Sequence, residues 1–437
     1  MRRIVALCFL AVLVVIGTAR GEELKPGDTL SQQNWQLAKD LLPPEILRHY
    51  ERGEYSNVIL SWEDGKQRWS KQFLDGTQRN AQELMLDANG SIVDKTSGKR
   101  PEYICGFPFP NVTADDPQAG LKILWNHYFY WWNNGNLRNY VELHWVSPKG
   151  VERKATQDVY FLYYQGQPQR FVPPKNPDDL LVQLLANTVN PADLNGTAAL
   201  SWRYRDPEKR DSAWAYVPAL RRVRAVSPTN RSDGFLGSDM SQDDGPFFDG
   251  KPEDFTWKLV GERDALRLVD PFSLNGETHR VKLPGGGWRG LFKRMPMVGF
   301  QDPEWKGVPW APLNFGLARR RHWVIEGVPK DAYYLFGKIQ LYIDKETYHG
   351  AYNRKFNWNG EHVNTYTVFA DLNGYFDDGD EGYYGAGNVV YQGVENLKMN
   401  RATVISAPSD LSDFPNDRRI RLDPQLFSSQ SLLRVGK

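Results

Sequence analysis

Residues 319–370 read RRRHWVIEGVPKDAYYLFGKIQLYIDKETYHGAYNRKFNWNGEHVNTYTVFA. Four strands are predicted in this stretch: Arg319 to Glu326, Lys338 to Asp344, Tyr348 to Trp358 and His362 to Ala370. Their connections are short. Asp344-Lys345-Glu346-Thr347 and Asn359-Gly360 supply residues that tolerate hairpin-turn backbone. Alternation puts Ile339, Leu341 and Ile343 on one face, with Lys338, Gln340 and Asp344 on the other. The pattern is that of an antiparallel meander with one dry and one wet side.

Strand signals continue upstream. Val58, Leu60 and Trp62 alternate with Asn57, Ile59 and Ser61, and Arg138 to Val146, Gln157 to Tyr164 and Leu200 to Tyr204 are further strand candidates. A strand-like run also extends from Trp214 to Val226. Helices are predicted over Ser31 to Leu42, which Pro43-Pro44 ends, and over Pro44 to Tyr50, with Gly53 as its terminator. Two more are expected at Asp116 to Trp132 and, as a short amphipathic helix, at Asp178 to Thr188 between Pro177 and Pro191. No internal repeat or low-complexity linker divides the chain. Residues 22–437 are expected to form one large domain, with an N-terminal helical segment and a polar tail after Pro408.

Before this domain stands an export signal. Arg2 and Arg3 form a positive n-region, Ile4 to Ile16 an apolar run, and Gly17, Thr18, Ala19 and Gly21 the small residues near a cleavage site. Cleavage after Ala19 or after Gly21 fits equally well. The apolar helix would span about 20 Å, short of a bilayer core, so cleavage is expected rather than anchoring. Cys105 is then the one remaining cysteine, and stability must come from a core rather than from a disulfide. The whole chain carries +1; the signal holds three arginines and no acid, which leaves about −2. That balance gives no support for nucleic-acid binding. The sequence holds 15 Trp, 21 Tyr and 21 Phe, so large rings must line a thick sheet core, a sugar platform or an apolar cavity.

Few catalytic signatures are present. The seven histidines are dispersed without metal-ligand spacing, and there is no nucleophile elbow, phosphate loop or dinucleotide fingerprint. No metal, cofactor or catalytic residue is expected. Two acidic loops, one with Asp239, Asp243, Asp244 and Asp249, the other with Asp371, Asp377, Asp378, Asp380 and Glu381, suit either Ca²⁺ or pairing with nearby arginines. Paired acids beside tryptophans would also suit a carbohydrate-active enzyme or binding protein, the alternative class of function. Arg221, Arg222 and Arg224 form a basic cluster in which alternation sets Arg222 and Arg224 on one face. Those two suit pairing with the neighbouring aspartates, an anionic headgroup, or an acidic patch on a partner.

The same stretch carries a family resemblance. Ala213-Trp214-Ala215-Tyr216-Val217-Pro218-Ala219-Leu220-Arg221-Arg222-Val223-Arg224 resembles the signature of the bacterial domain-of-unknown-function family 1329. Ser232-Asp233-Gly234, Phe248-Asp249-Gly250 and Phe255-Thr256-Trp257-Lys258-Leu259-Val260-Gly261 continue it. Gly106-Phe107-Pro108-Phe109-Pro110 and the pair Arg321-to-Glu326 and Tyr342-Ile343-Asp344 extend it to both sides. The resemblance implies a β-dominated α+β fold similar to the periplasmic lipoprotein carriers LolA and LolB. In that fold a strongly curved antiparallel sheet, an incomplete barrel, is covered by a few helices. It also implies a non-enzymatic periplasmic role with a lipid or other hydrophobic molecule as cargo. An inner-membrane resistance-nodulation-division type transporter or an outer-membrane protein would be the partner. The family supplies no catalytic residues to carry over. Candidates for the cavity wall are Trp62, Trp125, Trp202, Trp214, Tyr216, Trp257, Trp323, Ile339 and Leu341, although a strand aromatic is more often plain core than ligand lining, and the Ser31–Leu42 helix could act as lid.

Overall fold

The computed structural model describes residues 23–65, 69–227, 231–271, 279–291, 297–369, 375–377, 382–384, 391–406 and 415–435. The expected export signal lies outside them, as do Asp371, Asp378, Asp380 and Glu381 of the second acidic loop.

In chain order the first elements are β1 (Thr29–Leu30), α1 (Pro44–Glu51), β2 (Asn57–Leu60), α2 (Lys71–Glu83), β3 (Leu84–Leu86), β4 (Ile92–Asp94) and α3 (Ala119–Trp132). A run of strands follows: β5 (Leu137–Ser147), β6 (Gly150–Tyr163), β7 (Leu180–Asn190), β8 (Ala198–Tyr204), β9 (Ser212–Val217) and β10 (Arg222–Val226). Next come β11 (Phe255–Val269), β12 (His279–Lys282), β13 (Trp288–Leu291), β14 (Gly316–Pro329), β15 (Lys338–Asp344), β16 (Gly350–Phe356) and β17 (His362–Val368). The last are β18 (Tyr375–Asp377), β19 (Gly382–Tyr384), β20 (Tyr391–Asn396), β21 (Arg401–Ser406), β22 (Asn416–Arg418) and a final turn of helix, α4 (Leu432–Val435).

One sheet holds most of these strands. Its order from edge to edge is β10-β9-β8-β7-β6-β5-β21-β20-β17-β16-β15-β14-β11, antiparallel throughout. β2 runs parallel beside Gly316–Ala318 and carries β1, while β22 pairs with the start of β5 and carries β13. β10 and β11 are neighbours in sequence yet form opposite edges, with no pairing between them among the described residues. The sheet is therefore open. It also curls: residues of β5, β11, β14, β15, β17 and β21 share one core cluster with α3, which only a curved sheet permits. The expected β-dominated, incomplete barrel is the observed architecture, and β14 to β17 form the expected meander.

α3 fills the concave side. Its residues Ile123 to Trp132 are all buried, as suits a helix that is apolar on every face. Gly120 lets its first turn abut β11, since a Cβ there would lie 2.7 Å from the Lys258 carbonyl carbon. Asn126 anchors the middle by accepting from Phe109 N–H and donating to Phe109 C=O.

The convex side is covered by the two ends of the chain. Leu30, Leu42, Ile46, Tyr50 and Tyr55 pack on Leu266, Leu268, Tyr342 and Tyr352, while Phe427 and Leu432 pack on Leu185, Leu200 and Tyr216. The meander is consequently not wet on its outer face, because Tyr342 and Asp344 are as buried as Leu341.

Three local expectations are corrected. Asp178 to Thr188 is not a helix: Leu180–Asn190 is strand β7, paired on both sides by β6 and β8, and that pairing overrides the helix preference of its leucines. Ser31 to Leu42 contains a single 3₁₀ turn, Trp35–Ala38, and it packs on the convex side rather than as a lid over the concave one. The Trp214–Val226 run is two strands, folded back at Pro218–Leu220, where Arg221 takes a left-handed φ of 48°.

Candidate functional site

Across β5 to β10 the side chains sort by size. On β9, Trp214 and Tyr216 point to the convex side, where Trp202 and Leu200 of β8 lie beside them, while Ala213 and Ala215 point to the concave side. The strand register continues them into rows whose small residues gather on β7, β8 and β9. Asn139, Val159, Ala186, Ala199 and Ala215 pair successively across five strands. Phe161, Leu184, Ser201 and Ala213 form the next row. Small side chains here leave room that Leu or Phe would fill.

That room is a cavity of about 160 Å³. Its floor is Val141, Leu143, Val159, Phe161, Leu184, Ala186, Ala199 and Ser201, and Ile405 of β21 and Gln392 of β20 close one side. Trp131 of α3 and a strap formed by residues 231–249, with Phe235, Met240 and Pro246, lie over it. The walls are mostly apolar. Polar groups also reach it from Gln157, Arg231, Ser241, Gln242, Asp249 and Gln392, and Asn139 Oδ1 is buried with no hydrogen-bond partner among the described residues, on a side chain only 4% exposed.

Ion pairs pin the strap. Asp239 meets Arg401 at 2.8 Å, Asp243 meets Arg231 at 2.6 Å, and Asp244 meets Lys355 within the core. Tyr334 Oη donates to Asp243 at 2.8 Å, and Tyr366 and Asn353 donate to the carbonyls of Pro246 and Phe247. Where the strap leaves the cavity, Arg203 holds Asp211 at 2.9 Å and Asp249 at 3.3 Å, and Arg231 reaches Asp249 at 3.1 Å. Burial alone would raise the Asp211 carboxyl, but Arg203 and Arg231 outweigh it and hold it below the usual range. Burial prevails at Asp249, whose carboxyl titrates higher than normal despite the same two guanidinium groups.

All four aspartates of the first acidic loop are therefore used in ion pairs. Their cations come from distant strands and from Arg231, not from Arg221, Arg222 or Arg224. Among the described residues there is no group of three or more His, Cys, Asp or Glu that could hold a metal ion. Arg222 and Arg224 are exposed on the edge strand β10, without an ion-pair partner among the described residues. Register sets them on the concave side, since Arg224 lies opposite Ala215 and Arg222 opposite Val217.

The nine candidate wall residues fall into three places. Trp125, Trp257, Trp323, Ile339 and Leu341 belong to the core around α3, where Trp125 Nε1 donates to Gly90 C=O and Trp257 Nε1 to Pro252 C=O, each at 3.0 Å. Trp202, Trp214 and Tyr216 lie on the convex side under the chain's C-terminal segment, with Trp202 Nε1 donating to Phe427 C=O at 2.7 Å. Trp62 sits apart with Val269 and Ala318, beneath the Arg320 guanidinium. None of the nine lines the 160 Å³ cavity. The alternation in Ser212–Val217 held the signal for it, since the ring-bearing face is the filled one and the alanine face has the space. Trp358 is the one exposed tryptophan among the described residues, so an aromatic platform for sugars has a single exposed ring there.

No helix among the described residues is long and apolar enough to cross a membrane. In architecture the chain is similar to a candidate outer membrane lipoprotein-sorting protein domain from Vibrio parahaemolyticus, at 17% identity over 72% of this chain and 99% of that one, with a TM-score of 0.46. It is similar also to a DUF1329 family protein from Desulfovibrio piger, at 16% identity over 70% of this chain and 97% of that one, with a TM-score of 0.42. A LolA superfamily protein from Nitrosomonas europaea aligns at 10% identity over 70% of this chain and 97% of that one, with a TM-score of 0.38. No curated protein matches the sequence. The sequence profile of the protein family of unknown function DUF1329 matches residues 29–283, and this chain belongs to that family.

Proposed function

We propose that this protein shelters a hydrophobic molecule, a lipid or another greasy small molecule, in the cavity between β5–β8 and the strap. It acts as a non-enzymatic periplasmic carrier or accessory, working with an envelope export system. The observation that carries this reading is the cavity itself. Its floor is apolar, it is kept open by Ala186, Ala199 and Ser201, and it lies on the concave face of an open sheet. Mostly apolar pockets are the usual form of small-molecule sites, and a space of 160 Å³ takes a ring or a short stretch of acyl chain, the rest of the molecule lying along the open concave face. Water in such a space is held poorly, so an apolar occupant gains the transfer free energy of the surface it buries. The export signal expected at residues 1–21 supports the periplasmic placing, and the family resemblance supports the link to an exporter. Native mass spectrometry of protein taken from its own periplasm is expected to show a bound apolar molecule that organic extraction releases. Ligand-free protein that also fails to take up any apolar probe would overturn the reading.

A further inference from the structure

We propose that the occupant of the cavity is an amphiphile with an anionic head, carboxylate or phosphate, and that Arg222 and Arg224 take that head at the rim. The proposal rests on the shelter reading above and gives its ligand a chemical class.

The argument begins with the register. Ala199, in the cavity floor, pairs with Ala215 of β9, which pairs with Arg224 of β10. Adjacent strands lie about 4.8 Å apart, so the Arg224 backbone is roughly 10 Å from the floor at Ala199. The side chains between them are alanines, Ala213 and Ala215, half-buried and without bulk beyond Cβ. On the concave face, no side chain longer than a methyl group therefore stands on β9 between the cavity floor and Arg224. Arg222 stands two residues along the same strand, on the same face.

The charges at that rim are unmatched. Arg222 and Arg224 are exposed, and no acidic side chain stands in the rows that separate them from the cavity. Four of the five aspartates of the adjoining strap, Asp239, Asp243, Asp244 and Asp249, are bound by Arg401, Arg231, Lys355 and Arg203, while Asp233 is exposed at its start. The far side of β10 pairs with no strand among the described residues, so the head would have access from solvent. Guanidinium forks match the geometry of carboxylate and phosphate oxygens, and two of them beyond an alanine-lined strand next to the cavity suit a molecule polar at one end.

The test uses cis-parinaric acid and its methyl ester, two fluorescent probes with the same chain, one anionic and one neutral. Both are titrated at neutral pH and low salt into the exported protein, stripped of lipid, and into R222Q/R224Q and R222K/R224K variants whose folding is checked by circular dichroism. The wild-type protein is expected to bind the acid roughly five- to tenfold tighter than the ester, a preference that falls in high salt. In R222Q/R224Q the acid is expected to bind no tighter than the ester, and R222K/R224K should retain part of the preference. Equal binding of the two probes by wild type, or a preference that survives in R222Q/R224Q, overturns the anionic-head assignment while the shelter reading stands. Failure of both probes to bind wild type overturns both.

Discussion

His49 Nε2 lies 2.7 Å from Glu395 on β20, and its Nδ1 lies 2.7 Å from Glu54, with the ring almost fully buried. The imidazole thereby clamps the N-terminal segment to the convex side of the sheet. Burial lowers its affinity for a proton, but the two carboxylates prevail and raise its pKa to about 9. A folded-state pKa above the unfolded value near 6.5 means that the native protein holds the proton more tightly. The resulting stability is fully present below about pH 6.5, falls as the pH rises toward 9, and is gone above it. It amounts to something on the order of 3 kcal/mol. Urea unfolding of wild type and H49Q should therefore show a large gap at pH 6 that shrinks steadily by pH 9.5. A gap that stays constant over that range would show that the ring is neutral in the fold.

Lys355 and Asp244 form the most buried of the strap's ion pairs, both side chains at 1% exposure or less. Asp244 also accepts from the backbone and hydroxyl of Ser241, which fix its carboxylate independently of the lysine. Removing one partner leaves a buried charge uncompensated, at a cost of about 3–5 kcal/mol. K355M is expected to lose stability on that scale, and K355M/D244N to recover part of it. Hydrogen exchange should find the loss of protection concentrated in residues 235–250. Uniform loss across the sheet would mean that the pair supports the whole core rather than the strap.

Much of this fold could be read from sequence, because short connections force neighbours to pair. β14 to β17 follow from alternation and two tight turns, and α3 from a start at Asp116-Pro117 and the helical spacing of Leu121, Leu124, Trp125 and Tyr128. Three segments misled for identifiable reasons. Leu180–Asn190 is rich in residues that favour helix, and only its partners β6 and β8, set by long-range packing, make it a strand. The Pro218–Leu220 turn needs Arg221 in a left-handed conformation, which a non-glycine residue rarely signals. Asp344 reads as a solvent-facing residue, but Arg320 pairs with it at 2.9 Å inside the protein. The cavity was harder to see, since aromatic content marks where space is filled. The alanines at 186, 199, 213 and 215 mark where it is left open.

Gly120 tests how closely α3 must approach β11. A Cβ at this position would meet Lys258 main-chain carbons at 2.7 and 3.0 Å and Leu259 N at 3.0 Å, all backbone atoms that cannot rotate away. G120A gains helix propensity but forces the helix off the strand. The steric term is larger, because overpacking a tight contact costs typically 1–3 kcal/mol. Thermal unfolding of G120A is expected to show a lower midpoint than wild type. A raised midpoint would show that the helix has slack against the sheet.

Filling the cavity separates the concave face from the convex one. A199L and A186L place branched side chains into the open space at the floor, where each covers apolar surface that an occupant would cover. The added groups enter a void rather than a packed core, so stability should hold or rise slightly instead of showing the penalty of overpacking. W214F removes the indole N–H and some ring area on the opposite side of the same sheet, beneath the C-terminal segment. It is expected to cost about 1 kcal/mol of stability through looser packing. Titration with the neutral parinaric ester should then show at least a tenfold loss of affinity in A199L/A186L and little change in W214F. The reverse order, with binding lost in W214F and kept in A199L/A186L, would move the ligand site to the aromatic convex side.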